Sequence, residues 1–223
     1  MTGMPIPHDP RQHQAPAPED PTQFWEQRYN ERTLVWSGRV NQVLAAVVGD
    51  LTPGRALDLG CGEGGDALWL SGQGWEVTGV DISTTAVERA RTAARAAGIT
   101  DRLDLIAADL ASWQPESDFE LVSACFLQSP VALDRSQVLR AAAAHIPIGG
   151  HLLVVSHAAP PPWASGLDGH HHSFLGPEEE LAALGLPESD WRTVIAEIRR
   201  RSATGPDGNP AVLDDTVVLL QRY

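Results

Sequence analysis

Three glycines at alternate positions, Gly60, Gly62 and Gly64, stand among three acids, Asp58, Glu63 and Asp66, in the stretch ALDLGCGEGGDALWL. Glycines so spaced allow positive φ and let a ligand lie close against the backbone. That is the chemistry of a nucleotide-type loop, and the acids narrow the choice of ligand. A pyrophosphate would be repelled by carboxylates at the effective dielectric of such a site. The spacing G-x-G-x-G-G also departs from the dinucleotide pattern G-x-G-x-x-G. S-adenosylmethionine carries an ammonium, a sulfonium and no phosphate, so it suits an acid-rimmed loop, and no arginine lies nearer along the chain than Arg55. Two further acids extend the set. Asp81 can accept from both ribose hydroxyls, and Asp109 can accept from the adenine amino group.

Other residues offer chemistry on the acceptor side. His157 can take a proton from an acceptor or simply bond nearby backbone. Cys61 and Cys125 should lie close together if they end neighbouring strands, either as a thiol pair able to bind a metalloid or oxidise, or as two inert small hydrophobes, the reading preferred. The run His170 to His172 is unlike a metal site, because consecutive side chains cannot converge on one ion, and no metal is expected. All 16 basic residues are arginines. A P-loop, a pyridoxal Schiff base and a catalytic amine are therefore excluded.

The elements that position these residues follow from the apolar pattern. The runs ALDLG, EVTGVD, LDLIAAD, FELVSACF and HLLVVSH are near-continuous, as strands buried on both faces of a parallel sheet must be. Helices alternate with them. Thr85 and Glu88 form a capping-box pattern, Val87, Ala90, Ala94 and Ala97 one apolar face, and Gly98 the stop. A further helix runs from Asp134 to His145. Ahead of the sheet, Thr22 is expected to cap a short helix carrying Phe24, Trp25 and Tyr29, and a second helix follows WSG. WRTVIAEIRRR and TVVLLQRY read as a late strand pair joined by GPDGNP, with RRR a solvated strand end. The alternation predicts a doubly wound α/β sandwich with an antiparallel late strand, whose ligand crevice lies beyond the carboxyl ends of the strands.

Residues 1–21 carry six prolines and almost no apolar periodicity, so a disordered tail is expected there. Residues 22–223 then form one domain, with 22–50 as a helical lid. A net charge of −13 argues against a nucleic-acid partner. With no long apolar run and no secretory pattern at the N-terminus, a cytoplasmic location and no membrane partner are expected.

The motifs LDLGCGEGGDALWL, VTGVDIS, AADL and FELVSACF, in this order, resemble those of the class I SAM-dependent methyltransferases over roughly residues 22 to 157. The segments FWEQRYNERTLVWSG, SFLGPEEEL and TGPDGNPAVLDDTVVLL resemble small-molecule members of the thiopurine and tellurite-resistance (TehB-like) type. The resemblance implies a Rossmann-like, mostly parallel seven-stranded sheet. It implies cofactor contacts from Trp36, Asp58, Gly60, Cys61, Gly62, Gly64, Asp81, Ile82, Asp109 and Leu110, and an acceptor side at Tyr29, Cys125 and Phe126, with His157 the catalytic candidate. Trp36 is read as a lid over the cofactor.

The expectation is methyl transfer from S-adenosylmethionine, giving S-adenosylhomocysteine, to a small thiol, metalloid oxyanion or hydroxyl by in-line displacement, in a monomer or homodimer. A soft anionic acceptor needs no strong base, which accords with the lack of an obvious one. The segment CFLQSP lacks the Asn-Pro-Pro-Tyr type of motif that methylation of nucleic-acid amino groups would require. Two other readings stay open: a non-catalytic SAM-binding regulator and an NAD-dependent oxidoreductase.

Overall fold

In the computed structural model, residues 20–163, 174–205 and 207–223 are described. Seven strands form one sheet: β1 (Arg55–Leu59), β2 (Glu76–Asp81), β3 (Leu103–Ala107), β4 (Leu121–Cys125), β5 (His151–His157), β6 (Trp191–Thr204) and β7 (Pro210–Arg222). Their order is β3-β2-β1-β4-β5-β7-β6, and the first five are parallel. β7 runs antiparallel to both β5 and β6. The doubly wound sheet with one antiparallel late strand is therefore present, and chain order reverses between β1 and β4, the switch point at which sheets of this kind hold their ligands.

Alternation along each strand divides the core. Leu57, Leu59, Leu152 and Val154 face α5 (Arg135–Ala143) and α6 (Pro177–Leu184). Ala56, Leu153, Val155, Val217 and Leu219 pack on the other side, with α2 (Gln42–Val48) and α3 (Gly65–Gly72) and with Val87 and Ala90 of α4 (Thr84–Ala97). β4 and β5 are apolar because both faces are covered, whereas β6 is mostly exposed and carries Arg192, Glu197 and Arg199 to Arg201.

The helix ends correct several expectations. α1 (Pro21–Asn30) is capped by Asp20, whose carboxylate accepts from Gln23 N at 3.0 Å, and not by Thr22. Pro21 sits where its missing N–H costs nothing. α4 is capped by Ser83, which accepts from Ala86 N, and not by Thr85, whose N–H donates to Glu26. Its buried face ends at Ala94, leaving Ala97 exposed, while Gly98 stops it in the left-handed region as expected. α5 ends at Ala143, short of His145, with Asp134 as its cap. β3 ends at Ala107, so Asp109 lies in the following turn. Of the tail expected over 1–21, Asp20 and Pro21 instead form the cap and first residue of α1, and residues 1–19, like the run His170 to His172, lie outside the described residues.

One feature of the sheet matters for the site. β5 stops at His157 opposite Asp215, whereas β6 and β7 stay paired as far as Thr204 and Pro210. The hairpin thus overhangs the carboxyl end of β5, on the side where β1 and β4 also end.

Candidate active site

The glycine loop leaves β1 with Gly60 and Cys61 donating their N–H groups to Val80 O at 2.8 and 3.0 Å. Gly60 has φ 73°, and a Cβ there would come within 2.8 Å of the Leu127 side chain. At Gly62, φ 52°, a Cβ would stand 3.0 Å from Tyr29 Oη and 3.3 Å from Trp36 Cδ1. Both therefore need glycine for conformation and for space. The loop is covered from two sides, by Leu127 after β4 and by Tyr29 and Trp36 from the N-terminal segment.

Asp81 ends β2 buried, and its two oxygens accept from Gly62 N and Ser83 N, each at 2.9 Å. A carboxylate with two oxygens retains acceptor capacity beyond these bonds. Burial pushes its pKa up to about 6 despite the two bonds. Asp58 is buried under the loop, where Oδ1 accepts from Ser123 Oγ at 3.1 Å and Oδ2 has no partner. Burial first, and then the nearby acids Asp66 and Asp81, push its pKa well up. Asp66, also raised by burial, accepts from Asn41 N at 2.6 Å. An orphaned buried carboxylate oxygen among further acids is suited to a cation with N–H donors.

Glu63 departs from the expected arrangement. Instead of facing a ligand with Asp58 and Asp66, it accepts from Val35 N (3.0 Å) and Trp36 N (2.9 Å) and pairs with Arg89 at 2.9 Å. Arg89 also donates to the carbonyls of Tyr29 and Arg32. One of the three loop acids thus anchors the N-terminal segment, and an arginine remote in sequence neutralises it. Trp36 is half exposed, donates from Nε1 to Tyr29 Oη at 2.9 Å and has the Arg28 guanidinium 6.0 Å from its ring. Tyr29 is buried, and burial pushes its phenol pKa up.

Ile82 is half-buried after β2, and Asp109 is exposed with Oδ1 accepting from Ala111 N at 2.9 Å. Leu110 is buried in the core on the α5 side. Cys61 and Cys125 are both free thiols. Burial, with nearby acids, pushes both pKa values well up, which disfavours the thiolate form. Among the described residues no group of three metal-ligating side chains occurs.

At the residues expected on the acceptor side, His157 Nδ1 lies 3.1 Å from Asp215 Oδ1, and the ring stacks on Phe126 with centroids 4.4 Å apart. Phe126 has φ 58°, the one non-glycine residue with positive φ among those described. Arg201 pairs with the second oxygen of Asp215 and sits 5.4 Å from the Phe126 ring, so this member of the RRR run is not simply solvated. Asp215, Arg201, Arg89 and Leu127 were not anticipated. A strand acid within LDDT was the available signal for Asp215, but its partner depends on the β5–β7 register.

Residues 56–150 match the family model described as a methyltransferase domain. Over 51 residues the chain is 39% identical to the ribosomal RNA small subunit methyltransferase C of Alcanivorax borkumensis, covering 23% of this chain and 16% of that one. Over 74 residues it is 35% identical to probable thiol methyltransferase 2 of Arabidopsis thaliana, covering 33% of each. The chain spans between 16% and 59% of the lengths of the curated relatives it matches. The solved structure of TehB from Haemophilus influenzae superposes with a TM-score of 0.65 at 16% identity, covering 91% of this chain and 67% of that one, a likeness of fold.

Proposed function

We propose, on the premise that residues 56–150 are a class I SAM-dependent methyltransferase domain, that the protein transfers the methyl group of S-adenosylmethionine to a small-molecule acceptor by in-line displacement. The observation that carries this reading is Asp58 Oδ2, a buried carboxylate oxygen with no partner beneath a loop that only glycine can form. It would receive the ammonium of the cofactor, and the backbone of Gly60, Cys61, Gly62 and Gly64 would hold the amino-acid moiety. Asp81 would accept from the ribose hydroxyls, with Ile82 and Leu110 flanking the adenine and Asp109 accepting from its amino group. When bound, the cofactor supplies an electrophilic methyl carbon. Trp36 and Tyr29 would close over it, Cys125 and Phe126 would border the acceptor, and the residues' work is to align the acceptor and exclude water.

The acceptor classes in view are a thiol, a metalloid oxyanion and a hydroxyl. The relative that acts on ribosomal RNA matches over 51 residues only, and a net charge of −13 without lysine opposes binding a phosphate backbone. Calorimetric titration tests the reading: S-adenosylmethionine and S-adenosylhomocysteine should bind, and NAD should not. Binding of NAD without S-adenosylmethionine would overturn it. Transfer of radiolabelled methyl to thiols, phenols, selenite or tellurite separates an enzyme from a SAM-binding regulator.

A further inference from the structure

Resting on that reading, we infer that His157 is the base that accepts the acceptor's proton, that Asp215 positions it, and that the acceptor is a protic nucleophile, an un-ionised hydroxyl or thiol. The sequence offers only a histidine at a strand end. The structure puts a buried carboxylate opposite it on β7, at the last pair before the hairpin overhangs β5. Asp215 is fully buried and shared, with Oδ1 3.1 Å from His157 Nδ1 and Oδ2 taken by Arg201 Nε. An ionised carboxylate only accepts, so the ring atom facing it carries the proton. Nε2 is left with its lone pair. The His157 side chain is 26% exposed. The Nδ1 edge faces a buried carboxylate, so an acceptor would meet the opposite, Nε2 edge.

The ring is fixed by more than Asp215. Phe126 stacks on the imidazole at an interplanar angle of 30°, and Gln128 Oε1 holds the His157 backbone by accepting from its N–H at 2.8 Å. Phe126 keeps a left-handed conformation that is costly for a bulky side chain. Its neighbour Leu127 packs over Gly60, so the residue that holds the imidazole is joined to the one that covers the cofactor loop. Asp215 already has a cationic partner in Arg201, so neutralising that carboxylate does not require His157.

In the step, a lone pair of the acceptor forms the bond to the methyl carbon. The carbon–sulfur bond of the sulfonium breaks with its electron pair going to sulfur. The acceptor's proton passes to His157 Nε2. The resulting imidazolium faces Asp215 and later releases its proton to water.

Nitrogen-15 NMR of the full chain tests the arrangement, with the His157 signals identified by their loss in His157→Gln. At pH 8 the wild type should show a neutral ring protonated at Nδ1. In Asp215→Asn the amide oxygen stays with Arg201, the amide N–H faces the ring, and the proton should move to Nε2. An Nε2-protonated or doubly protonated ring in the wild type overturns the proposal, and an unchanged ring in Asp215→Asn overturns the role of Asp215. These readouts need neither cofactor nor acceptor, so their failure is distinct from failure of the titration above. In turnover, His157→Gln should slow transfer to an un-ionised phenol or alkyl thiol by about 100-fold or more and change transfer to an ionised thiophenolate little. Equal losses, or a wild type that methylates only ionised acceptors, would overturn the proposal.

Discussion

Asp81 illustrates how one buried side chain can oppose folding and favour binding. Its pKa is raised to about 6, above an unfolded value near 3.8, so the folded state holds the extra proton between these values. The contribution of Asp81 to stability is therefore present in full below pH 3.8 and is lost as pH rises through 6. Two units correspond to about 3 kcal/mol. In its proposed role, cofactor binding has the opposite preference, because the ionised carboxylate is the stronger acceptor for ribose hydroxyls. The rise in melting temperature on adding S-adenosylmethionine should grow between pH 5 and pH 7.5, and Asp81→Asn should flatten it. Asp81→Ala should weaken binding by roughly 2 to 3 kcal/mol, the scale of hydrogen bonds to a charged group, as read by calorimetry. The glycine and acid positions were legible because chemistry there is local in the chain. Asp215 was not, since only the pairing of β5 with β7 brings it to His157.

At the scale of elements, the N-terminal segment is joined to the cofactor loop through Glu63. This acid is buried and takes two backbone N–H groups and the Arg89 guanidinium. Glu63→Gln should cost about 2 kcal/mol and expose the chain between Asn30 and Asn41 to proteolysis at rates the wild type does not show. Trp36→Ala should behave differently. Trp36 is half exposed yet lies over Gly62, so its loss should hardly change the melting of the cofactor-free protein while speeding cofactor release in stopped-flow displacement. A large fall in that melting temperature would make Trp36 a packing residue and not a lid. The strands were legible because strands covered on both faces read as apolar runs. Helix starts were less so: Asp20 competes with Thr22, and Ser83 with Thr85, and tertiary partners such as Glu26 decide between them.

For the whole molecule, charge is the property that bears most directly on partners. With 16 arginines against 29 acids, the net charge of −13 disfavours a polyanion, and several arginines of the described residues are held by acids. Electrophoretic shift with ribosomal RNA fragments at physiological salt should show no complex; a specific one would redirect the search for acceptors to nucleic acid. No helix of the described residues is long and apolar enough to cross a membrane. The position of β7 has a consequence in time. It is inserted between β5 and β6, and β6 has no other strand partner. During synthesis the five parallel strands can assemble first and shape the glycine loop, while β6 waits for β7 before it can join the sheet. Asp215 arrives with β7, so on the proposed roles the nascent protein would acquire its means of holding a cofactor well before its means of using one.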